Sequence, residues 1–458
     1  MPKSSNQGKL SQLSAEFPVF IYEEFSYSLS PEGLNAKFHF KLGGSFNFFP
    51  GLFIPRNKWA FPDHVLEPLL PSLIFNIGMI ELISYWKLAC PPKVIIKPAA
   101  LSPEQVLWWK KLYFLGLGEF FYLNSIKADE NSFMDIESTG SFFSYTATPD
   151  VNEGVIIPVG GGKDSAVTLD LLKGSFDTMP LVLNSRSATS AVIEASSITL
   201  KEALLISRSI DPLLLELNAR GFLNGHTPFS ALLAFITLTA AVLTGRKYIV
   251  LSNESSANEV TIPGTKINHQ YSKSLEFEND FRDYVSKYIT RDVEYFSFLR
   301  PLNELQIARL FSRLPVYHKV FRSCNAGSKS GTWCGRCPKC LFTFIILSPF
   351  SGIEALADIF GKNLLDEASL SPILHQLTGA ADEKPFDCIG TIGEVNLALC
   401  RIILENEGKE LPDLLRIYKD SSEYAVYKDR DFNESLVPYF PGNLPGPFAD
   451  ILKTALYA

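Results

Sequence analysis

Between Phe25 and Pro55 the chain reads FSYSLSPEGLNAKFHFKLGGSFNFFPGLFIP, with apolar and polar positions alternating and the runs broken at SPEG and LGGS. Period-two patterning with turn residues between runs predicts antiparallel strands joined by hairpins. The period becomes helical in LIFNIGMIELISYWKLACPP, which Pro91 and Pro92 stop. VIIKP reads as a short strand. SPEQVLWWKKLYFLGLGEFF opens on a capping-box pattern, Ser102 followed by Glu104 and Gln105 near the third helical position. Residues 127–154 are polar and loop-like, which places a domain boundary there. Beyond it strands alternate with helices: GVIIPV, a helix, PLVLNS, a long helical stretch, then KYIVLSNES. Such alternation predicts a parallel sheet covered by helices. From Gly352 onward short amphipathic helices dominate. The expected division is residues 1–150 (mixed α+β), 151–322 (α/β) and 323–458 (cysteine-bearing and helical).

Composition narrows this picture. At about 150 residues per domain, 458 residues are enough for two or three. The 35 phenylalanines and a mean hydropathy of +0.10 imply a large core, with disorder expected only in the first dozen residues and some loop tips. A net charge of −7 argues against nucleic acid, which demands a basic stripe to displace counterions, and favours a small-molecule substrate. The N-terminus lacks the apolar stretch of a secretory signal. The most membrane-like run, Phe229–Gly245, is shorter than the roughly 20 apolar residues of a span and reads as a buried helix. A soluble cytoplasmic protein without membrane contact is expected.

The candidate chemistry starts at VIIPVGGGKDSAVTLDLL, residues 155–172. A Walker loop needs Ser or Thr directly after Gly-Lys, but Asp164 follows Lys163, and Ile157 stands where its first glycine belongs. A dinucleotide fingerprint needs a third glycine where Ser165 stands, and an acidic residue about 20 positions on where LNSRS occurs. The loop instead resembles the S-G-G-x-D-S loop of the PP-loop ATP pyrophosphatases, with Gly160 in place of the usual serine. Physically, Gly160, Gly161 and Gly162 allow backbone N–H groups to face phosphate oxygens, and a helix N-terminus follows. Ser165 would donate to a phosphate, and Asp164 would face magnesium or fix the loop. Without a ligand the same residues would be a plain glycine-rich turn, which leaves Lys163 and Asp164 without purpose. The resemblance implies ATP cleavage between the α and β phosphates, with AMP transferred to an oxygen. Asn184 and Ser185 would then line the adenine side, and Asn253 and Glu254 the crevice at the strand ends.

Cys324, Cys334, Cys337 and Cys340 lie within one short segment. Four sulfurs suit tetrahedral zinc with no open position, hence a structural site; an iron–sulfur cluster and redox dithiol chemistry are the alternatives. Similar knuckles follow the PP-loop domain in 7-cyano-7-deazaguanine synthases, although the N-terminal region has no counterpart there.

Taken together, IGMIELISYWK, LGLGEFFYLN, PVGGGKDS, NGHTPFSA, SNESSANE, CGRCPKC and FDCIGTIGEV resemble the MurL family of UDP-N-acetyl-α-D-muramoyl-L-alanyl-L-glutamate epimerases over nearly the whole chain. The resemblance implies an α/β fold: a PP-loop (HUP-like) parallel sheet covered by helices, an N-terminal mixed α+β domain for substrate recognition, a four-cysteine zinc knuckle and a helical C-terminal region. It implies ATP, Mg2+ and structural Zn2+, a UDP-MurNAc-dipeptide substrate, and inversion of its terminal L-glutamate with release of AMP and pyrophosphate. Lys163 and Asp164 would be catalytic. For the base, Asp387 and Cys388 in FDCIG are the first candidates, each with a plain structural reading beside it. His226 is an alternative base or phosphate contact, and Glu254 and Glu259 would hold magnesium or cap a helix. The competing functions are a PP-loop adenylating ligase or nucleobase-modifying enzyme, and a non-catalytic zinc module.

Overall fold

The aromatic N-terminal stretch folds as its alternation predicts. In the computed structural model, which describes all residues except 1–5, 144–149, 263, 325, 328–329, 440–443 and 458, β1 (Val19–Leu29) and β2 (Gly33–Leu42) form an antiparallel hairpin. Part of the expected polar connection, residues 144–149, lies outside the described residues, as do the first five residues of the N-terminal segment read above. Next come β3 (Phe46–Phe48), β4 (Gly51–Pro55), β5 (Lys93–Ile96) and β6 (Asp135–Ser138). They are followed by β7 (Asn152–Pro158), β8 (Thr178–Leu183), β9 (Leu204–Ser209), β10 (Arg246–Leu251) and β11 (Glu294–Ser297).

The chain divides into two compact units. The first comprises residues 1–156, 204–249 and 266–295. Its mixed sheet runs β9-β4-β2-β1-β5-β6, with β5 parallel to β1 and to β6. The helix Leu70–Trp86 packs on β1 and β2 and is buried on nearly every side, as its predominantly apolar sequence requires. Tyr22 stacks on Phe75, and Phe40 meets Tyr85. The helix Pro103–Gly116 has the capping box, made by Ser102 with Gln105. The run read as a buried helix forms Phe229–Thr244 and ends at the left-handed Gly245. No helix among the described residues is long and apolar enough to cross a membrane.

The second unit comprises residues 157–203, 250–265 and 296–458. The C-terminal ends of β7, β10 and β11 enter it and stand with β8 in the order β11-β10-β7-β8. The parallel pairing of β10 with β7 runs through residues of the first unit, Arg246–Ile249 with Asn152–Ile156. The N–H of Val159 donates to Leu181 O (2.8 Å), tying the start of the glycine loop to β8. Helices fill the rest, with Glu304–Ser312 packed against both Lys163–Leu172 and Pro338–Ser351.

Three local expectations change. The long helical stretch expected after β8 is interrupted by β9, which pairs antiparallel with β4. Its LLISRS sequence buries Leu204 and Ile206 with period two, but its partner lies about 150 residues upstream and leaves no local signal. Likewise β6 forms inside the segment read as loop, by pairing with β5. The opening residues, expected to be disordered, include a helix, Gln7–Glu16, that buries Leu13.

Candidate functional site

The glycine loop joins the end of β7 to the helix Lys163–Leu172. Gly161 has φ +84, and a Cβ there would lie 3.0 Å from the Ala188 carbonyl carbon. Only glycine combines that backbone with that approach. Gly162 is the N-cap, and no side chain caps the helix, so its first-turn N–H groups are available to an anion. The Ser165 hydroxyl donates to Gly162 O (3.1 Å). Gly160 is exposed, and a Cβ there would meet nothing within 4 Å. Asn184, at φ +55, and Ser185 follow the C-terminal end of β8, where the Ser185 and Ser190 hydroxyls are 3.1 Å apart.

Behind the loop lies a buried charge cluster. The Lys163 ammonium is paired with Asp164 and with Glu304, the first residue of its helix. One carboxylate oxygen each of Asp164, Glu254 and Glu304 lie within 4.8 Å of one another. Burial opposes the charge on Lys163, but the facing Asp164 and Glu304 carboxylates raise its pKa. The Glu304 carboxyl is itself pushed up, by burial above all and by Asp164, Glu254 and Glu394. Lys163 therefore holds its proton, and the carboxylates compete for one cation. The Ser256 hydroxyl donates to Glu254 Oε1 (2.9 Å), and Arg300 Nη1 donates to Glu254 O (2.8 Å). Asn253 Nδ2 donates to Ser297 Oγ (3.0 Å). Three clustered carboxylates, two of them paired with Lys163, supply only oxygen donors, which suit a hard cation of the magnesium type.

The FDCIG segment meets this cluster at its downstream end, and a separate ion pair holds the residues before it. Upstream, Lys384 pairs with Glu259. Downstream, Gly390 packs so closely that a Cβ would lie 2.9 Å from Glu304 Cγ and 3.0 Å from Glu394 Oε2. Asp387 and Cys388 are half-buried between these two anchors. Glu394 spans two helix starts. Its Oε2 accepts from Thr391 N (2.6 Å) and Thr391 Oγ1 (2.7 Å), while Oε1 accepts from Glu304 N. Burial raises its pKa.

The four cysteines of the CGRCPKC region converge. Cys337 Sγ lies 3.6 Å from Cys324 Sγ and 3.5 Å from Cys340 Sγ, and Cys334 lies 3.6 Å from Cys340. A zinc tetrahedron with about 2.3 Å Zn–S bonds has edges near 3.8 Å, so the four sulfurs fit that ion. Gly327 N donates to Cys324 Sγ (3.2 Å). The segment reaches the glycine loop, since Arg322 N donates to Gly161 O (2.7 Å) and a Cβ at Gly162 would lie 3.0 Å from Ser323 Oγ.

His226 belongs to the first unit, beside His269 and Glu119. Burial, then the neighbouring His269, pushes it down to about 4. Sequence reasoning missed Glu304 and Glu394. Both occur in helix-start patterns, NELQ and TIGE, which predict capping but not the meeting of the two.

Two family models match the chain: the MurL N-terminal domain over residues 11–298 and the MurL C-terminal domain over residues 320–431. The chain belongs to the MurL family. Three relatives carry the name UDP-N-acetyl-alpha-D-muramoyl-L-alanyl-L-glutamate epimerase. The MurL protein of Salinispora tropica is 34% identical over 95% of both chains. That of a Micromonospora species is 34% identical over 85% of this chain and 88% of its own. That of Xanthomonas oryzae pv. oryzae is 35% identical over 75% and 77%. No solved structure matches.

Proposed function

We propose that the chain is an isomerase that inverts the terminal L-glutamate of UDP-MurNAc-L-Ala-L-Glu in peptidoglycan precursor synthesis, through an acyl-adenylate formed from ATP. The observation that carries the reading is full-length similarity to relatives named as this epimerase. The uncapped glycine loop beside the Lys163 cluster supports the ATP step.

The chemistry explains why such a loop would serve an epimerase. The α-proton of a carboxylate-bearing carbon is only very weakly acidic, because its removal would add a second negative charge. Adenylation of the carboxylate removes the first charge and lets the enolate delocalise, so a positioned base can take the proton and an acid can return it to the other face. Hydrolysis of the adenylate then makes the cycle irreversible. In this reading the chain is a PP-loop enzyme. The loop N–H groups bind the phosphates, Lys163 and Asp164 orient them, and Asn184, Ser185 and Asn253 border the nucleotide. Magnesium held by Asp164, Glu254 and Glu304 would neutralise phosphate charge. Asp387 or Cys388 takes the proton, and the four-cysteine site holds structural zinc. A UDP-linked substrate and a need for ATP support a cytoplasmic location.

Incubation with UDP-MurNAc-L-Ala-L-Glu, ATP and magnesium in deuterium oxide tests the reading. AMP and D-glutamate labelled at the α-carbon are expected in step. AMP without labelled D-isomer would sink the epimerase in favour of an adenylating ligase. No AMP under any condition would favour a non-catalytic zinc module.

A further inference from the structure

The first unit holds a group of ligand-type side chains that the proposed reaction leaves unassigned. Glu119 lies in the first turn of the helix Gly118–Leu123, His226 in the extended NGHTP loop, and His269 just before the 3-10 turn Tyr271–Lys273. One oxygen of Glu119 and one ring nitrogen of each histidine lie within 4.8 Å of one another. Glu119 Oε2 is 3.6 Å from His226 Nδ1 and hydrogen-bonded to His269 Nδ1. Glu119 and His269 are largely covered, whereas His226 keeps 26% of its side-chain surface.

These three segments are far apart in sequence, and small residues let their backbones approach. A Cβ at Gly116 would lie 2.7 Å from the Pro228 ring, and one at Gly225 would lie 2.9 Å from Phe120. Gly118 abuts Ile267. The loop carrying His226 is held further by the Lys87 ammonium, which donates to Gly225 O, and by Asn124 Nδ2, which donates to Asn224 O (3.1 Å). Convergence is thus built into the packing rather than left to flexible side chains.

We propose that Glu119, His226 and His269 form a divalent-metal site of the zinc type, additional to the four cysteines and to the acidic cluster. Two imidazoles with one carboxylate select a borderline first-row ion, whereas magnesium and calcium take oxygen donors. With bonds of about 2.0–2.1 Å, tetrahedral ligands stand about 3.4 Å apart, close to the 3.6 Å between Glu119 and His226. Glu119 and His269, hydrogen-bonded to each other without the ion, would move apart to the same edge as it enters. Three protein ligands leave the fourth position to water, and the exposed edge of His226 faces the solvent side.

The test uses the full chain, dialysed against a weak chelator and titrated with Co2+. A thiolate site shows sulfur-to-metal charge transfer, whereas a nitrogen–oxygen site shows only ligand-field bands. We expect one equivalent with ligand-field bands alone, bound at micromolar cobalt or tighter. Glu119→Gln, which keeps the side-chain shape, and His226→Ala should each weaken this equivalent at least about tenfold with the melting curve unchanged; if His226→Ala unfolds the chain, Glu119→Gln alone decides. Absence of that equivalent, binding only at millimolar cobalt, or full retention in Glu119→Gln would overturn the proposal. The readout is independent of AMP release, so its failure and that of the epimerase reading are distinguishable.

Discussion

Gly160 and Gly161 are neighbours with opposite constraints. At 160 a side chain would enter open space, while at 161 it would strike Ala188 from a left-handed backbone. Gly160→Ser is therefore expected to keep both AMP release and melting temperature. Gly161→Ala should lose AMP release and about 1–3 kcal/mol of stability, read by an AMP assay and denaturant unfolding. Packing therefore gives no steric reason for glycine at position 160. Lys163 and Asp164 also separate. Asp164→Ala should abolish AMP release and leave the fold intact, because Glu304 still pairs with Lys163; turnover in this variant would show the loop to be misassigned. Lys163→Met strands Glu304 among Glu254 and Glu394, and loss of one partner from a buried pair costs about 3–5 kcal/mol. The glycine loop was legible in the sequence because its chemistry lies in consecutive residues. Glu304 was not, because its role depends on helices that meet only on folding.

At the scale of elements, caps and burial set the balance. Thr391 with Glu394 reads locally as a capping box, but the second Glu394 oxygen caps Glu304 ninety residues away. Glu394→Ala should cost about 1–2 kcal/mol for the lost caps, more than the one helix visible in the sequence would suggest. Lys87, at the end of the helix Leu70–Trp86, is buried. Burial chiefly, with Arg208 adding, pushes its pKa down to about 8 from an ordinary 10.5. The unfolded chain therefore holds more protons between these values, and the stability contributed by Lys87 rises with pH across that window. The advantage of Lys87→Met over the native chain should shrink by up to about 3 kcal/mol between pH 7 and 10.5, measured by urea unfolding at each pH. The pairings of β6 and β9 escaped local patterning because their partners are remote in sequence.

At the scale of the molecule, the cysteine segment couples stability to the candidate site. Its sulfurs are spaced for a tetrahedral ion, and its flank hydrogen-bonds to Gly161. Cys334→Ser should lose bound zinc, lower the melting temperature and reduce AMP release. Metal analysis, calorimetry and the AMP assay check this, and normal melting with full activity would contradict a structural site.

The sequence by itself determined the hairpin, the buried helices, the glycine loop, the cysteine cluster and the family. Each of these is written in periodicity or in closely spaced residues. Tertiary structure alone decided which carboxylates surround Lys163, that FDCIG is anchored beside them, and that Glu119, His226 and His269 converge. Those groups come from segments tens to hundreds of residues apart, and backbone pairing and close helix packing bring them together, which no local pattern encodes.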